Sequence, residues 1–431
     1  KVLPMPEGTG IEIAYVAPST AIEKSLVKIW SEVLSSPEET LGVETDFFTM
    51  GGHSIKAIKL LGLIHKELGV KLALKDLFSQ SLLSQQALLI ANATKQTYQS
   101  IEAIPASADY ALSSAQRRLW VLNKFEGAET AYNIPEVSVL AGDLNEELFQ
   151  KAYTSLLERH EVLRTRFIED SEGSPRQEII PIEEASTEVS IYDYRGIENQ
   201  SAVVNQQLDA LNNTVFDLST GPLIKCSLLR IGDAEYVWSL IMHHIVSDGW
   251  SMGILHRELS AFYSAYTTNQ DPNLFDLTIQ YKDYAHWHNE QLSSESITPH
   301  KEYWLKQFEG DLPVLELASD KPRPKVMTYN GASITRQLSK ETLEGLKALN
   351  KAEGGTLFMS LLTCLNVLLH KYTGQQDIVI GSPIAGREHP DLENQIGFYL
   401  GGLPLRTTFS SESSLKELYQ QVKQNTLSAY E

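Results

Sequence analysis

The feature that most constrains the fold is an alternation of helix and strand patterns that runs for more than 300 residues from residue 109 onward. Apolar residues at helical spacing predict helices, and short runs rich in β-branched and aromatic residues predict strands. The helices include 145–158, 250–266, 298–308, 340–352, 356–372 and 414–430, and the strands include 133–141, 223–230, 236–243 and 377–382. This alternation indicates an α/β or α+β domain.

A separate helical unit precedes that domain. Apolar residues at helical spacing predict a first helix from Ile22 to Val33, with Ser19 and Thr20 as candidate caps. A second helix covers about 54–68 and is followed by Gly69 as its stop signal. A short third segment holds Leu77 and Phe78, and a fourth helix covers about 84–92. We therefore expect a small bundle of four short helices within residues 19–96.

Two stretches without clear periodicity divide the chain. Residues 1–18 contain three prolines and two glycines, and residues 97–108 are polar with one proline. Both compositions are typical of linkers. The expected order is a linker (1–18), a helical domain (19–96), a second linker (97–108) and a large domain (109–431).

Composition excludes several classes of protein. The net charge of −19 over 431 residues argues against nucleic acid or an anionic membrane as the partner. We find no run of about 18 apolar residues and no apolar signal-peptide core at the start, so we expect no membrane span. Cys226 and Cys364 lie in apolar surroundings, which favours buried thiols in a cytoplasmic protein over a disulfide framework. Lys1 as the first residue suggests that the chain was cut from something longer.

The stretch FFTMGGHSIKAIKLL (47–61) places a serine at the start of the second helix. Gly51 and Gly52 predict a tight turn, after which Ser54 lies at or next to the N-cap. The simpler interpretation is that Ser54 only caps the helix. An exposed hydroxyl at the positive end of a helix also suits attachment of a phosphate-bearing group, and a small bundle without its own catalytic pocket favours that interpretation.

The stretch MHHIVSDGWS (242–251) joins a predicted strand to a predicted helix. On a strand, His243 and His244 would point to opposite faces, one into the core and one into a cleft, so a shared metal ion is not expected. Asp248 and Gly249 predict a tight turn, from which Asp248 can fix the loop or the neighbouring imidazole. An imidazole with a pKa of about 6.5 suits acyl transfer. Backbone N–H groups near Gly249 can stabilise an oxyanion. The alternative is two core histidines followed by a turn.

Residues 19–96 resemble a peptidyl carrier domain of a nonribosomal peptide synthetase. The resemblance rests on DFFTMGGHSIKAIKL (46–60) and IEKSLVKIWSEVL (22–34). It implies that Ser54 carries 4′-phosphopantetheine, attached by a phosphopantetheinyl transferase. KVLPMP (1–6) resembles the end of an adenylation domain, which would lie upstream.

Most of residues 108–431 resembles a condensation domain of the same synthetases. Five motifs that occur in the family's order carry the resemblance: LSSAQRRLW (112–120), RHEVLRTRF (159–167), MHHIVSDGWS (242–251), YKDYAHW (281–287) and IGFYLGGLPLR (396–406). The resemblance implies two lobes, each like chloramphenicol acetyltransferase, that meet in a V. The N-lobe would cover about 109–280, and the C-lobe, which we expect to be incomplete, about 281–431. The active site would lie at the lobe junction, with a tunnel from each face.

The resemblance also implies residue roles. His244 would be the catalytic histidine, His243 its structural neighbour and Asp248 a structural aspartate, with no metal required. Arg387, in GSPIAGR (381–387), is our candidate partner for Asp248 across the lobes. The sequence departs from the family at Gly401-Gly402, where Asn-Thr is usual.

The implied reaction joins two carrier-bound substrates. The amine of an aminoacyl thioester on a downstream carrier attacks an acyl or peptidyl thioester on this carrier, with an L-configured donor residue favoured. His244 would act as a general base or would position the amine. Two alternatives remain open: a CoA-dependent acyltransferase with a fused helical domain, which Ser54 in its GGHS context disfavours, and a non-catalytic docking domain, which Gly401-Gly402 keeps open.

Overall fold

The computed structural model describes residues 15–125, 127, 129–329 and 331–430. Most of the predicted first linker, 1–14, including KVLPMP, lies outside the described residues. Residues 15–18 lie along the helical domain, where the carbonyl of Val16 accepts a hydrogen bond from the N–H of Val43 at 2.9 Å.

Residues 19–96 form the four expected helices. They are α1 (Ala21–Leu34), α2 (Ser54–Leu68), α3 (Leu74–Ser79) and α4 (Leu83–Asn92). Thr20 is the N-cap of α1, and its hydroxyl accepts from the N–H of Glu23 while the Glu23 carboxylate returns to the Thr20 backbone. Gly69 ends α2 with a φ of 66°, a left-handed conformation that glycine adopts without steric cost. The predicted cap and stop signal are both confirmed.

The core of this bundle forms where α1, α2 and α4 meet. Leu26, Trp30, Leu60 and Ile64 are fully buried there. The indole N–H of Trp30 donates to the side-chain oxygen of Gln86 at 3.2 Å, which satisfies a polar atom inside the apolar core. The bundle therefore holds α2 by its apolar face and leaves the helix start at the surface.

The larger domain begins with an N-lobe of two sheets and several helices. Its strands are β1 (Tyr110–Ala111), β2 (Asn133–Ala141), β3 (Thr165–Glu169), β4 (Pro175–Ile179), β5 (Val189–Asp193), β6 (Ile224–Gly232) and β7 (Glu235–His243). Its helices, with those that lead to the C-lobe, are α5 (Ser114–Leu122), α6 (Glu146–Arg159), α7 (Gln200–Asn212), α8 (Gly249–Thr268), α9 (Tyr281–Ser293) and α10 (Thr298–Gln307).

The four-stranded sheet of the N-lobe determines where the histidine motif lies. Its strand order is β2-β7-β6-β5, with β5 parallel to β6 and the other pairs antiparallel. Strand β7 is central, and each of its residues after Glu235 is buried. The chain therefore leaves the middle of the sheet at His243 and enters α8 within six residues.

The C-lobe is built from three helices and a two-stranded antiparallel sheet. They are α11 (Lys340–Glu353), α12 (Leu357–Thr373), β8 (Asp377–Ile384), β9 (Gly401–Thr408) and α13 (Leu415–Tyr430). Leu362 of α12, Ile378 of β8, Leu403 of β9 and Leu418 of α13 share one buried apolar cluster. The segment between β8 and β9 leaves the C-lobe and returns to the histidine motif.

Each helix and strand that the sequence analysis predicts occurs within about two residues of its expected bounds. The strand before the motif ends at His243 as predicted, but His244 starts a 3-10 turn (His244–Val246), so strand alternation is not what separates the two histidine side chains. The helices α5, α7 and α9 and the strands β1 and β3 to β5 are not among the predicted elements.

The predicted linker 97–108 contains no helix or strand but is fixed to the larger domain. Ile101 is buried, and its N–H donates to Oδ2 of Asp391 at 3.2 Å. The N–H of Ile104 donates to Oδ1 of Asp283 at 2.9 Å. The linker therefore restricts the helical domain to one side of the larger domain.

Within the described residues, no single helix is long and apolar enough to cross a membrane. Together, α11 and α12 have the length and apolar composition of a membrane span, but they are bent by 106° at their junction.

Candidate functional site

Ser54 is the first residue of α2, one position after the N-cap. The N-cap residue, His53, has an extended backbone and makes no side-chain capping hydrogen bond. Ser54 is half-buried and lies near the phenol of Tyr430 at the end of α13. The serine is thus not used as a cap, which removes the simpler interpretation of its position.

The start of α2 fits a phosphate ester on Ser54. With no side-chain cap, N–H groups of the first turn remain available, and the helix end is positive. The preceding glycines are required sterically. Gly51 has a φ of 89°, and a Cβ on Gly52 would lie 2.4 Å from the ring of Phe47. The Gly-Gly turn therefore brings the chain closely around Phe47 and presents Ser54 at an open helix end.

His243 is the buried histidine of the pair. It is the last residue of β7, and its Nδ1 accepts a hydrogen bond from the N–H of Ile245 at 3.1 Å. Burial, and to a smaller extent the neighbouring His244, lowers the pKa of His243 to about 4. His243 is therefore neutral at physiological pH, and it shapes the turn that follows.

His244 is the half-buried histidine, and its ring is fixed on both sides. Its Nδ1 lies 2.8 Å from the carbonyl oxygen of Ser247, which can only accept, so Nδ1 carries the hydrogen. The backbone N–H of His244 donates to the carbonyl of Tyr132 at 2.7 Å. The ring of Phe398 meets the imidazole edge to face at 5.0 Å. This tautomer leaves the lone pair of Nε2 available to a substrate.

Asp248 is the N-cap of α8 and is almost fully buried. Its Oδ1 accepts from the N–H of Ser251 at 2.8 Å and from the Ser251 hydroxyl at 2.7 Å. Its Oδ2 accepts from the N–H of Tyr399 at 3.2 Å. Of the two expected roles, the carboxylate fixes the loop, while the carbonyl of Ser247 orients the imidazole.

Arg387 reaches Asp248 from the segment between β8 and β9. Its Nη2 lies 3.2 Å from Oδ1 of Asp248, and the two side chains are 2% and 1% exposed. Its Nη1 donates to the carbonyls of Leu392 and Gln395, each at 2.6 Å. The guanidinium also stacks over the ring of Tyr399 at 3.9 Å. One buried arginine thus links the start of α8 to the segment that arrives from the C-lobe.

Two residues that the sequence gives only as parts of longer motifs belong to this site. The phenol of Tyr281 donates to the carbonyl of Phe398 at 2.5 Å and accepts from the Ser113 hydroxyl at 2.8 Å. A Cβ on Gly397 would lie 2.0 Å from the ring of Tyr281, so only glycine allows this approach. Tyr281 therefore positions Phe398 against His244. The motifs YKDYAHW and IGFY contained both residues, but their contact joins positions 117 residues apart.

The glycines of interest differ in their surroundings. Gly249 is the first residue of α8, is exposed, and a Cβ there would meet none of the described heavy atoms within 4 Å. A Cβ on Gly402 would likewise meet none of the described heavy atoms within 4 Å, whereas a Cβ on Gly401 would lie 3.0 Å from Ile384. Gly401 and Gly402 begin β9 and pair with Ile384 and Pro383. Among the described residues, no group of three or more His, Cys, Asp or Glu side chains could hold a metal ion.

Comparison with known proteins assigns both parts of the chain. Residues 106–431 match the family described as Condensation domain, and residues 24–90 match the Phosphopantetheine attachment site. Gramicidin S synthase 2 of Aneurinibacillus migulanus is 39% identical over all of this chain, which spans 9% of that synthase. Two solved structures share the fold. The X-domain from teicoplanin biosynthesis has a TM-score of 0.70 at 24% identity over 77% of this chain and 73% of its own. The first condensation domain of the calcium-dependent antibiotic synthetase has a TM-score of 0.61 at 22% identity over 75% and 74%.

Proposed function

The chain belongs to the condensation-domain family of nonribosomal peptide synthetases, with a phosphopantetheine-attachment domain before it, and we propose that it joins two carrier-bound substrates through an amide bond. We place the carrier at 19–96 and the condensation domain at 109–431, in support of which the family matches cover 24–90 and 106–431. The observation that carries the proposal is the hydrogen bond from Nδ1 of His244 to the carbonyl of Ser247.

The attachment domain holds 4′-phosphopantetheine covalently, and Ser54 is the proposed attachment residue. The group supplies a thiol on a flexible arm, on which the donor acyl group is held as a thioester. The open start of α2 stabilises the negative phosphodiester, because its first N–H groups can donate hydrogen bonds and the helix end is positive.

In the reaction, the amine of the acceptor attacks the carbonyl carbon of the donor thioester. A C–N bond forms, the C–S bond breaks, and the departing sulfur takes up the proton that the amine loses. Nε2 of His244 accepts a hydrogen bond from the attacking amine. This hydrogen bond orients the amine, and Nε2 can also receive the proton that the amine loses. The exposed N–H end of α8 at Gly249 is the candidate donor to the developing oxyanion.

Asp248 and Arg387 support the reaction without touching substrate. Their buried ion pair fixes the start of α8, which follows His244 by five residues, to the segment that carries Phe398. Phe398 in turn contacts the imidazole. His243 stays neutral behind this loop, so it holds the turn and adds no charge beside His244.

The relatives are much longer than this chain, so further partners are part of the proposal. We expect an adenylation domain upstream, a carrier with the acceptor amine downstream, an L-configured donor residue and loading by a phosphopantetheinyl transferase. A cytoplasmic location fits two cysteines that are both free thiols, Cys226 and Cys364. The expectation that both are buried is wrong for Cys364, which is exposed, and holds for Cys226.

The direct test is intact mass after incubation with CoA and a broad-specificity phosphopantetheinyl transferase. Wild type should gain one phosphopantetheine, and Ser54→Ala should gain none while it keeps its far-UV circular dichroism. The neighbouring Thr49→Ala is the matched control and should still be loaded. If folded wild type gains nothing and instead turns over free acyl-CoA, the chain is a CoA-dependent acyltransferase and the carrier proposal is wrong.

A further inference from the structure

The segment between β8 and β9, which pairs with Asp248 through Arg387, also contacts the carrier. Residues 388–394, which we call the docking segment, include the 3-10 turn Pro390–Leu392. Lys59 of α2 pairs with Glu393 of the docking segment and, at 3.2 Å, with Glu32 of α1. Lys66 of α2 lies 3.0 Å from Oδ1 of Asp391. Both carboxylates are at most 29% exposed on their side chains, so these are not fully solvated pairs.

Asp391 joins carrier, linker and condensation domain through one carboxylate. Besides Lys66, it accepts from the N–H of Ile101 at 3.2 Å and lies 3.6 Å from Nδ1 of His389. Burial opposes its charge, but Lys66 and the N–H of Ile101 outweigh burial and lower the pKa of Asp391. For Lys59, burial likewise opposes the charge, but Glu393 and Glu32 together raise its pKa. Both groups are therefore held in their charged forms by partners on other elements.

A glycine in the middle of α2 gives an independent indication of the same contact. Glycine disfavours a helix interior, yet Gly62 lies eight residues into this 15-residue helix. A Cβ there would lie 2.8 Å from Cγ and 3.3 Å from Cδ of Pro390. Only glycine lets the docking segment approach the helix so closely. Lys59, Gly62 and Lys66 are spaced i, i+3 and i+7, which places them on one face of α2.

We propose that the docking segment is a resting site for the chain's own carrier, which recognises a helix face with a small residue between two lysines. In this position Ser54 is half-buried near Tyr430 of α13, so loading and delivery to His244 would require α2 to leave the docking segment. The two ion pairs are the salt-sensitive part of this contact, because partly exposed pairs are weak and are screened by salt. The resting role rests on the proposed function, whereas the crosslinking tests measure only the docking of α2.

Crosslinking tests the position without any activity assay. Gly62→Cys with Pro390→Cys, in a Cys364→Ser background, should form a disulfide under mild oxidation, seen as an intramolecular bond by non-reducing peptide mapping. The native Cys226 is buried and stays in place. Leu88→Cys on α4 with Pro390→Cys is the matched control, since Leu88 is 63% exposed on another helix of the same domain. Equal rates for both pairs would mean a carrier that tumbles freely, and would overturn the proposal.

Charge reversal tests the recognition. Asp391→Lys with Glu393→Lys should slow the Gly62–Pro390 crosslink about tenfold, because both attractive pairs become repulsive. Adding Lys59→Glu and Lys66→Glu should restore most of the rate, which a merely damaged fold would not allow. Raising the salt concentration from about 0.05 M to about 0.5 M should slow the Gly62–Pro390 crosslink severalfold in the protein that keeps its native charges. If the crosslinking rate is the same in the native, reversed and restored proteins, recognition by charge is wrong, even if Ser54 loads normally.

Discussion

Two helix starts in this molecule carry its two proposed functions, and they are built in opposite ways. The start of α2 has an N-cap residue without a side-chain hydrogen bond, and Ser54 follows it at the surface. The start of α8 has Asp248 as a buried cap that bonds Ser251 and Tyr399 and pairs with Arg387. Both helix ends are positive, but only the second has a carboxylate cap that accepts a hydrogen bond from one of its N–H groups.

The difference shows how one local element serves either attachment or support. An unfilled helix end leaves N–H groups for an incoming phosphate, so the carrier needs little more than a tight glycine turn and a hydroxyl. A filled end is rigid, so it can hold a neighbouring imidazole within a defined distance of a ring from another lobe. Chemistry at His244 requires the second kind of helix start.

Breaking the filled end should have the largest effect on stability. Arg387→Met leaves Asp248 buried without its charge partner, and we expect it to lower the free energy of unfolding by about 3–5 kcal/mol. The measurement is the urea midpoint of the condensation-domain transition. Arg166→Met is the matched control, because Arg166 pairs with Glu178 at 2.7 Å on the surface, and its loss should cost at most about 1 kcal/mol. Equal losses for the two variants would contradict the comparison.

The buried His243 before this helix start should make the stability of the fold depend on pH. His243 has a pKa lowered to about 4, against about 6.5 in the unfolded chain, so unfolding takes up a proton between those values. Stability from this group is complete above pH 6.5 and is lost as the pH falls towards 4, by about 3 kcal/mol in total.

Unfolding curves of wild type and His243→Gln at pH 7, 6 and 5 isolate this contribution. The stability advantage of wild type should shrink by up to about 1.4 kcal/mol per pH unit below pH 6, since other groups titrate equally in both proteins. Parallel pH dependence would mean that His243 is not held neutral by burial.

Filling the open end should have the smallest effect on stability. His53→Asp supplies the cap that α2 lacks and should stabilise the carrier by about 0.5–1 kcal/mol. The same carboxylate occupies the first N–H groups and repels phosphate, so loading of Ser54 should slow severalfold by intact-mass time course. His53→Asn, which caps without charge, should stabilise similarly and slow loading less. Faster loading in His53→Asp would show that the open end does not bind the phosphate.

The sequence predicted those parts of the site that are local in the chain. The Gly51-Gly52 turn, the helix at Ser54 and the strand before His243 each follow from a few neighbouring residues and hold in the structure. The alternation argument for His244 was wrong, because the chain turns at that residue instead of continuing the strand. Burial still separated the two histidines as expected.

Contacts between distant segments were accessible only through family resemblance or were missed. Arg387 was selected as the partner of Asp248 by resemblance, and no spacing in the sequence predicts a pair 139 residues apart. The contact of Lys59 with Glu393 joins positions separated by 334 residues, and each residue alone looks like ordinary surface charge. Such pairs depend on how domains pack, which periodicity does not report.

The most direct test of the account is single-turnover amide formation by the loaded chain with a carrier-bound aminoacyl acceptor, measured by mass spectrometry. His244→Ala should slow the reaction at least about 100-fold, while Ser54 is loaded at the wild-type rate and the unfolding midpoint is unchanged. Amide formation at the wild-type rate in this variant would remove Nε2 of His244 from the mechanism and contradict the account.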